Sequence, residues 1–117
     1  NTAEINFLVI DNPNLIIKNL YNYPNPFREF TKIHFEYNQP SDDLDVKIEI
    51  FDIDGNLIKS INSKITQSAY ANSDFMWNGD SNYGNFVKSG IYILRITINN
   101  NLNNKKTSLS NQMILIK

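Results

Sequence analysis

The sequence predicts an all-β fold, an antiparallel sandwich of about seven or eight short strands. Three observations predict it. Apolar and polar residues alternate in short runs, the two-residue period of a half-buried strand. Clusters of Gly, Pro, Asn and Asp separate the runs and mark turns. No segment carries a 3.6-residue apolar stripe over three turns, and the abundant Ile and Val suit a pleated surface better than a helix.

The elements follow in order. INFLVI (5–10) and NLIIKNL (14–20) are apolar, β-branched runs. In KIHFEY (32–37), Ile33, Phe35 and Tyr37 take one face, and Lys32, His34 and Glu36 take the other. NQPSDD (38–43) is a loop, because its proline cannot donate to a ladder. DVKIEIFDI (45–53) turns Val46, Ile48 and Ile50 inward and Lys47 and Glu49 outward. LIKSINSKI (57–65) follows, and Asp54-Gly55 is the hairpin turn between them. DFMW (74–77) is a short strand, and NGDSNYGNFVKSG (78–90) is a glycine-rich loop. IYILRITI (91–98) sets Tyr92, Leu94, Ile96 and Ile98 toward the core and Arg95 and Thr97 outside. NNNLNNKK (99–106) predicts a mobile hairpin tip, and QMILIK (112–117) predicts the closing strand. Residues 1–19 are a leading strand packed on the sandwich or the tail of a preceding domain. Residues 20–117 form the sandwich itself.

At 117 residues the chain is one domain's worth, able to bury roughly two-thirds of its unfolded surface. A net charge of -1 argues against a nucleic-acid or anionic-membrane surface, which needs clustered Lys and Arg. With no cysteine there is no disulfide, no thiolate metal site and no Cys nucleophile. No apolar run approaches the ~20 residues that span a bilayer. Asn1 opens in mid-pattern, so the chain is expected to be a piece of something longer.

Several residues invite a chemical role. His34 is the lone histidine and is expected to face solvent, with no local nucleophile or orienting group beside it. Asp42, Asp43 and Asp45 cluster in a loop. Asp52, Asp54, Gly55 and Asn56 look like part of a calcium loop, but Leu57 and Ile58 resume the strand where a bidentate Glu should follow. A hairpin turn explains these residues more simply. NGDSNYGN (78–85) is rich in oxygen ligands, and an ordered Gly/Asn turn accounts for it equally well. Tyr21, Tyr23, Phe27, Phe30, Tyr83 and Phe86 would serve carbohydrate binding if exposed together, and core-edge packing is the simpler reading. Trp77 is expected in the core, where truncation to Ala costs about 3–5 kcal/mol.

The stretch YPNPF (23–27) places two prolines around one asparagine. Each proline fixes its own φ and pushes the preceding residue toward an extended conformation, so Tyr23 and Asn25 are expected to be extended. The segment becomes a stiff entry to the sandwich, with Phe27 anchored on the core.

Four stretches taken together resemble one family: YPNPF, VKIEIFDIDGNLIKSI (46–61), MWNGDSNYGNFVKSGIYILRI (76–96) and MILIK (113–117). They resemble the FlgD-like immunoglobulin domain, named after the flagellar hook-capping protein. Its pattern runs from Pro24, Asn25, Pro26 and Phe27 through the Gly55 hairpin to Trp77, Gly79, Gly84, Gly90, Tyr92 and Lys117. The resemblance covers residues 20–117 and implies an immunoglobulin-like sandwich, all-β and antiparallel. Within that family, IIKNLYNYPNPF (16–27), FEYNQPSDDLDVKIEIF (35–51) and MWNGDSNYGN…SGIYILRI (76–85 and 89–96) resemble the C-terminal domains of type IX secretion sortases. Those are gingipain-family cysteine peptidases of the Bacteroidetes outer surface. The resemblance implies a non-catalytic module, without cofactor or metal, that docks or targets at the extracellular face of the outer membrane. The partners it implies are a PorV-like outer-membrane β-barrel shuttle protein and the preceding domains of the same chain. No catalytic residue carries over, since the chain has no cysteine. The last strand, Met113, Ile114, Leu115, Ile116 and Lys117, either closes the sheet or offers itself to a partner's edge. A cleavable type IX sorting signal shares the YPNP start and the final Lys, but it lacks the Trp-x-Gly loop found here. A carbohydrate- or calcium-binding accessory domain is the third alternative.

Overall fold

A computed structural model describes residues 15–38, 44–65 and 71–117. Seven antiparallel strands form two sheets: β1 (Ile17–Tyr23), β2 (Thr31–Tyr37), β3 (Leu44–Asp52), β4 (Leu57–Ile65), β5 (Ala71–Trp77), β6 (Gly90–Asn100) and β7 (Lys105–Leu115). One sheet has the order β1-β2-β5 and the other β4-β3-β6-β7. The first strand therefore starts in one sheet, and the chain then crosses to the other, where Phe27 bridges Leu115 in parallel. That crossing ties the two layers of the immunoglobulin-like sandwich together.

The core is made by the alternation the sequence carries. Ile33, Phe35 and Tyr37 of β2 meet Leu44, Val46, Ile48 and Ile50 of β3 and Leu94, Ile96 and Ile98 of β6, all essentially inaccessible. A bulge shapes the first strand. The β1–β2 register shifts between Lys18 and Tyr21, where Asn19 takes φ +53°. Asn is one of the few residues that tolerates this left-handed conformation, and the bulge re-aims the chain before its crossing.

Several strand limits differ from the sequence reading. β1 covers 17–23 rather than 14–20, so Tyr21 to Tyr23 pair with β2. β5 begins at Ala71 rather than Asp74. The largest difference is β7, which begins at Lys105 rather than Gln112 and pairs with β6 without interruption. Its first eight residues keep no buried side chain, because β7 is the outer strand there and β6 supplies the ladder. Polar sequence therefore hides a strand that long-range pairing holds. The hairpin tip shrinks to residues 101–104. INFLVI (5–10), Asp42 and Asp43 lie outside the described residues.

Candidate functional site

The Pro-Asn-Pro segment is a clasp on the last strand. Tyr23 ends β1, the chain bends through residues 24–26, and Phe27 reaches the opposite sheet. Asn25 sits in that bend, between the two prolines. Both X–Pro bonds, Tyr23–Pro24 and Asn25–Pro26, are cis. The bend aims the Asn25 side chain along the outer edge of β7. The Ile114 N–H donates to Asn25 Oδ1 at 3.0 Å, and Asn25 Nδ2 donates to the Gln112 carbonyl at 3.3 Å. The Phe27 N–H donates to the Ile114 carbonyl, and the Ile116 N–H donates to the Phe27 carbonyl, both at 2.9 Å. Thr31 Oγ1 donates to the Pro24 carbonyl at 2.7 Å and holds the bend from inside.

The opposite edge of the same sheet is closed by an equivalent device. The Asn82 N–H donates to the Ile58 carbonyl at 2.9 Å, and Asn82 Oδ1 accepts the Ser60 N–H at 3.0 Å. One Asn from each of two unrelated loops thus satisfies backbone groups that would otherwise be open to pairing.

The 78–90 loop is built around Trp77. Its indole Nε1 donates to the Asp80 carbonyl at 2.8 Å, and its ring packs between Phe27 (5.6 Å) and the edge of Tyr92 (5.4 Å). Gly79 has φ +86° and lies under Leu115, and Gly84 has φ +84° in the turn closed by Ser81 and Asn85. The Tyr92 hydroxyl donates to the Lys88 carbonyl at 2.6 Å, and burial, helped by the nearby Asp52 charge, raises its pKa. Asp80 is paired with Lys59 at 2.8 Å. The oxygen-rich loop is thus an ordered turn, closed on itself between Ser81 and Asn85 and tied to β4 through Asp80 and Asn82. Gly90 begins β6 opposite Leu115, and Lys117 places its ammonium 5.0 Å over the Phe86 ring.

The Asp52–Asn56 segment is a hairpin turn. Asp52 Oδ1 accepts the backbone N–H groups of Asp54 and Asn56 at 2.9 Å each, and its Oδ2 accepts from Asn56 Nδ2 at 3.0 Å. These donors, the Asn56 side chain first, hold the Asp52 carboxyl below its usual pKa. Gly55 takes φ +89°. The same logic lowers Asp45, through Lys64 and then Asn101.

His34 departs from the sequence reading. Instead of facing open solvent it lies under Tyr21, with ring centroids 4.7 Å apart, and its Nε2 meets Glu36 Oε2 at 3.2 Å. Asn19 Nδ2 donates to the other Glu36 oxygen at 2.9 Å, and the Glu36 pKa is lowered, by Asn19 first and His34 second. Among the described residues, no group of three or more His, Cys, Asp and Glu side chains is placed to hold a metal ion.

The closing strand divides its roles by parity. Met113 and Leu115 are buried in the core, whereas Ile114, Ile116 and Lys117 are exposed. The outer face of the four-stranded sheet continues this exposed side. Leu57, Ile91 and Ile114 are each more than a third exposed; Phe51 and Ile93 share a row with Leu57, and Ile91 pairs with Ile114 in the next row. Farther along the sheet, Arg95 donates to Glu49 Oε1 from Nε at 3.1 Å and from Nη2 at 2.7 Å, with its guanidinium over Phe51. Beyond this pair the face turns polar, toward Lys47, Asn62, Thr97 and Asn99. Residue alternation predicted that Lys47, Glu49, Arg95 and Thr97 face outward. Only the register aligned the outward residues into an apolar end and a polar end.

The chain resembles known proteins in three ways. The FlgD Ig-like domain family matches residues 25–101. The crystal structure of dimeric latent PorU from Porphyromonas gingivalis is similar over 93% of this chain, at 27% identity and a TM-score of 0.75. A β-glucuronidase of Parabacteroides merdae is similar over 87% at 12% identity and a TM-score of 0.65, a likeness of fold alone. This chain spans 10% of the PorU chain and 13% of the β-glucuronidase chain. No curated protein sequence matches it. With the family match over most of the sandwich and the Trp77-centred loop in place, the chain belongs to the FlgD Ig-like domain family.

Proposed function

We propose that this chain is a non-catalytic docking module of a type IX secretion sortase, placing its parent protein at the extracellular face of the outer membrane. The observation that carries the reading is the apolar end of the outer sheet face, formed by Phe51, Leu57, Ile91, Ile93 and Ile114. A contiguous exposed apolar patch with a polar rim suits a protein interface. The similarity to PorU supports the choice of parent. The partner is a PorV-like outer-membrane β-barrel or the preceding domains of the same polypeptide. Docking uses the face of the last strands rather than the edge of Met113–Lys117, because Asn25 and Phe27 already occupy that edge.

The test is capture from outer-membrane extract by the immobilised 117-residue chain, with bound proteins identified by mass spectrometry. Wild type should retain a β-barrel protein. Ile91→Arg and Ile114→Arg should lose it while keeping the thermal midpoint. No captured barrel with the wild-type chain would sink barrel docking. A mature surface protein lacking this domain would point to a cleaved sorting signal instead.

A further inference from the structure

The polar end of the same outer face is a hollow of about 640 Å³. Strand register determines what lines it. One row across the sheet reads Lys64, Asp45, Asn99 and Lys106, and the next reads Asn62, Lys47, Thr97 and Ser108. Lysines stand on both flanks and in the middle. Among the described residues the lining holds one carboxylate, Asp45, and Lys64 already lies 2.8 Å from it. Lys47 is 3.8 Å from Glu49, whose other oxygen is taken by Arg95 at 2.7 Å. Lys106 has no carboxylate partner among the described residues. Among the described residues, positive charge therefore exceeds negative in the hollow.

We infer that this hollow binds an acidic oligosaccharide through Lys47, Lys106 and the amide and hydroxyl groups of Asn62, Thr97 and Asn99. The volume lies within the range of small-ligand sites, roughly 300–1,000 Å³. Lysine ammoniums are flexible point charges that accept an oxyanion from many directions. The Asn62 and Thr97 side chains each donate and accept, and Asn99, whose Nδ2 already donates to Asn101 at 2.7 Å, keeps its carbonyl as an acceptor, which suits sugar hydroxyls. A peptide strand would seek unpaired backbone groups, and β3 and β6 have both edges paired here. Among the described residues no aromatic ring lines the hollow, so recognition rests on charge and polar contacts and weakens with salt.

The experiment is a two-dimensional NMR titration of the 117-residue chain with a galacturonate hexamer, against maltohexaose and hexaglutamate as controls. The galacturonate hexamer should shift the amides of Lys47, Asn62, Thr97 and Asn99. Its affinity should fall at least fivefold between 50 and 300 mM NaCl. The double variant Lys47→Gln/Lys106→Gln should weaken it at least tenfold with an unchanged thermal midpoint. Ile114→Arg should leave it unchanged, which separates this site from the docking patch. Absent shifts at millimolar ligand, equal binding of maltohexaose or hexaglutamate, or an unaffected double variant would each overturn the assignment.

Discussion

Asn25 and Ile114 are 89 residues apart in sequence and joined by a 3.0 Å hydrogen bond from the Ile114 N–H to the Asn25 side-chain carbonyl. The same amide donates to Gln112, so one side chain does the work of a neighbouring strand. Sequence proximity of two prolines creates the bend, and the bend places the amide.

Asn25→Ala removes both bonds. Each typical hydrogen bond contributes about 0.5–1.5 kcal/mol, so the loss of two should be roughly 1–3 kcal/mol in urea unfolding. Hydrogen exchange should accelerate at the Ile114 amide more than at Leu94. Unchanged protection of Ile114 would show that the clasp does not hold the edge.

Trp77 fills the space between Phe27 and Tyr92 and is 1% exposed. Trp77→Ala should cost about 3–5 kcal/mol, a large share of the roughly 5–15 kcal/mol available to a domain. Trp77→Phe keeps much of the packing but leaves the Asp80 carbonyl without its 2.8 Å donor. It should lose less than the Ala variant, measured by chemical denaturation.

Glu49 is 8% exposed, and Arg95 is the donor that satisfies it. Arg95→Met leaves that carboxylate buried with only the distant Lys47. The half-exposed guanidinium screens the pair, so the expected loss is on the order of 2 kcal/mol, below the 3–5 kcal/mol of a fully buried pair. A loss under 0.5 kcal/mol would mean that water already solvates Glu49.

The Asp52 turn makes stability depend on pH. Its folded pKa lies below the ordinary value of 3.8. Protonation then favours the unfolded chain, so the Asp52 contribution is complete above pH 3.8 and disappears as pH falls through the lower folded value. Asp52→Asn should flatten the stability profile below pH 4 relative to wild type. Parallel wild-type and variant profiles in that range would show that the turn does not bind the ionised form preferentially.

Gly79 adopts φ +86°, and a Cβ there would lie 3.4 Å from Leu115 Cδ2. Gly79→Ala should destabilise by about 1 kcal/mol or more through backbone strain. Gly90 has no positive φ and more space, so Gly90→Ala should cost less. Thermal melts of the two variants compare them directly.

Alternation made the inner faces of β2, β3 and β6 legible in the sequence, because a period of two leaves Ile33, Ile48 and Ile96 no other side to occupy. Turn chemistry located the Gly55 hairpin and the loop after Trp77, since both need left-handed backbone. The ordered motifs identified the family. Most of β7 was not legible, because Lys105 to Asn111 bury nothing and carry no pattern. The ladder from β6 makes them a strand. Nor did the sequence show that His34 lies beneath Tyr21, a contact set by the β1 bulge and the register that follows it. The sequence by itself determined which residues face inward and where the chain turns, because these depend on local period and backbone freedom. Tertiary structure alone decided that Asn25 and Asn82 close the two sheet edges, and that scattered outward residues gather into an apolar end and a lysine-lined end. Those relationships depend on strand order and register, which bring together residues that no local pattern connects.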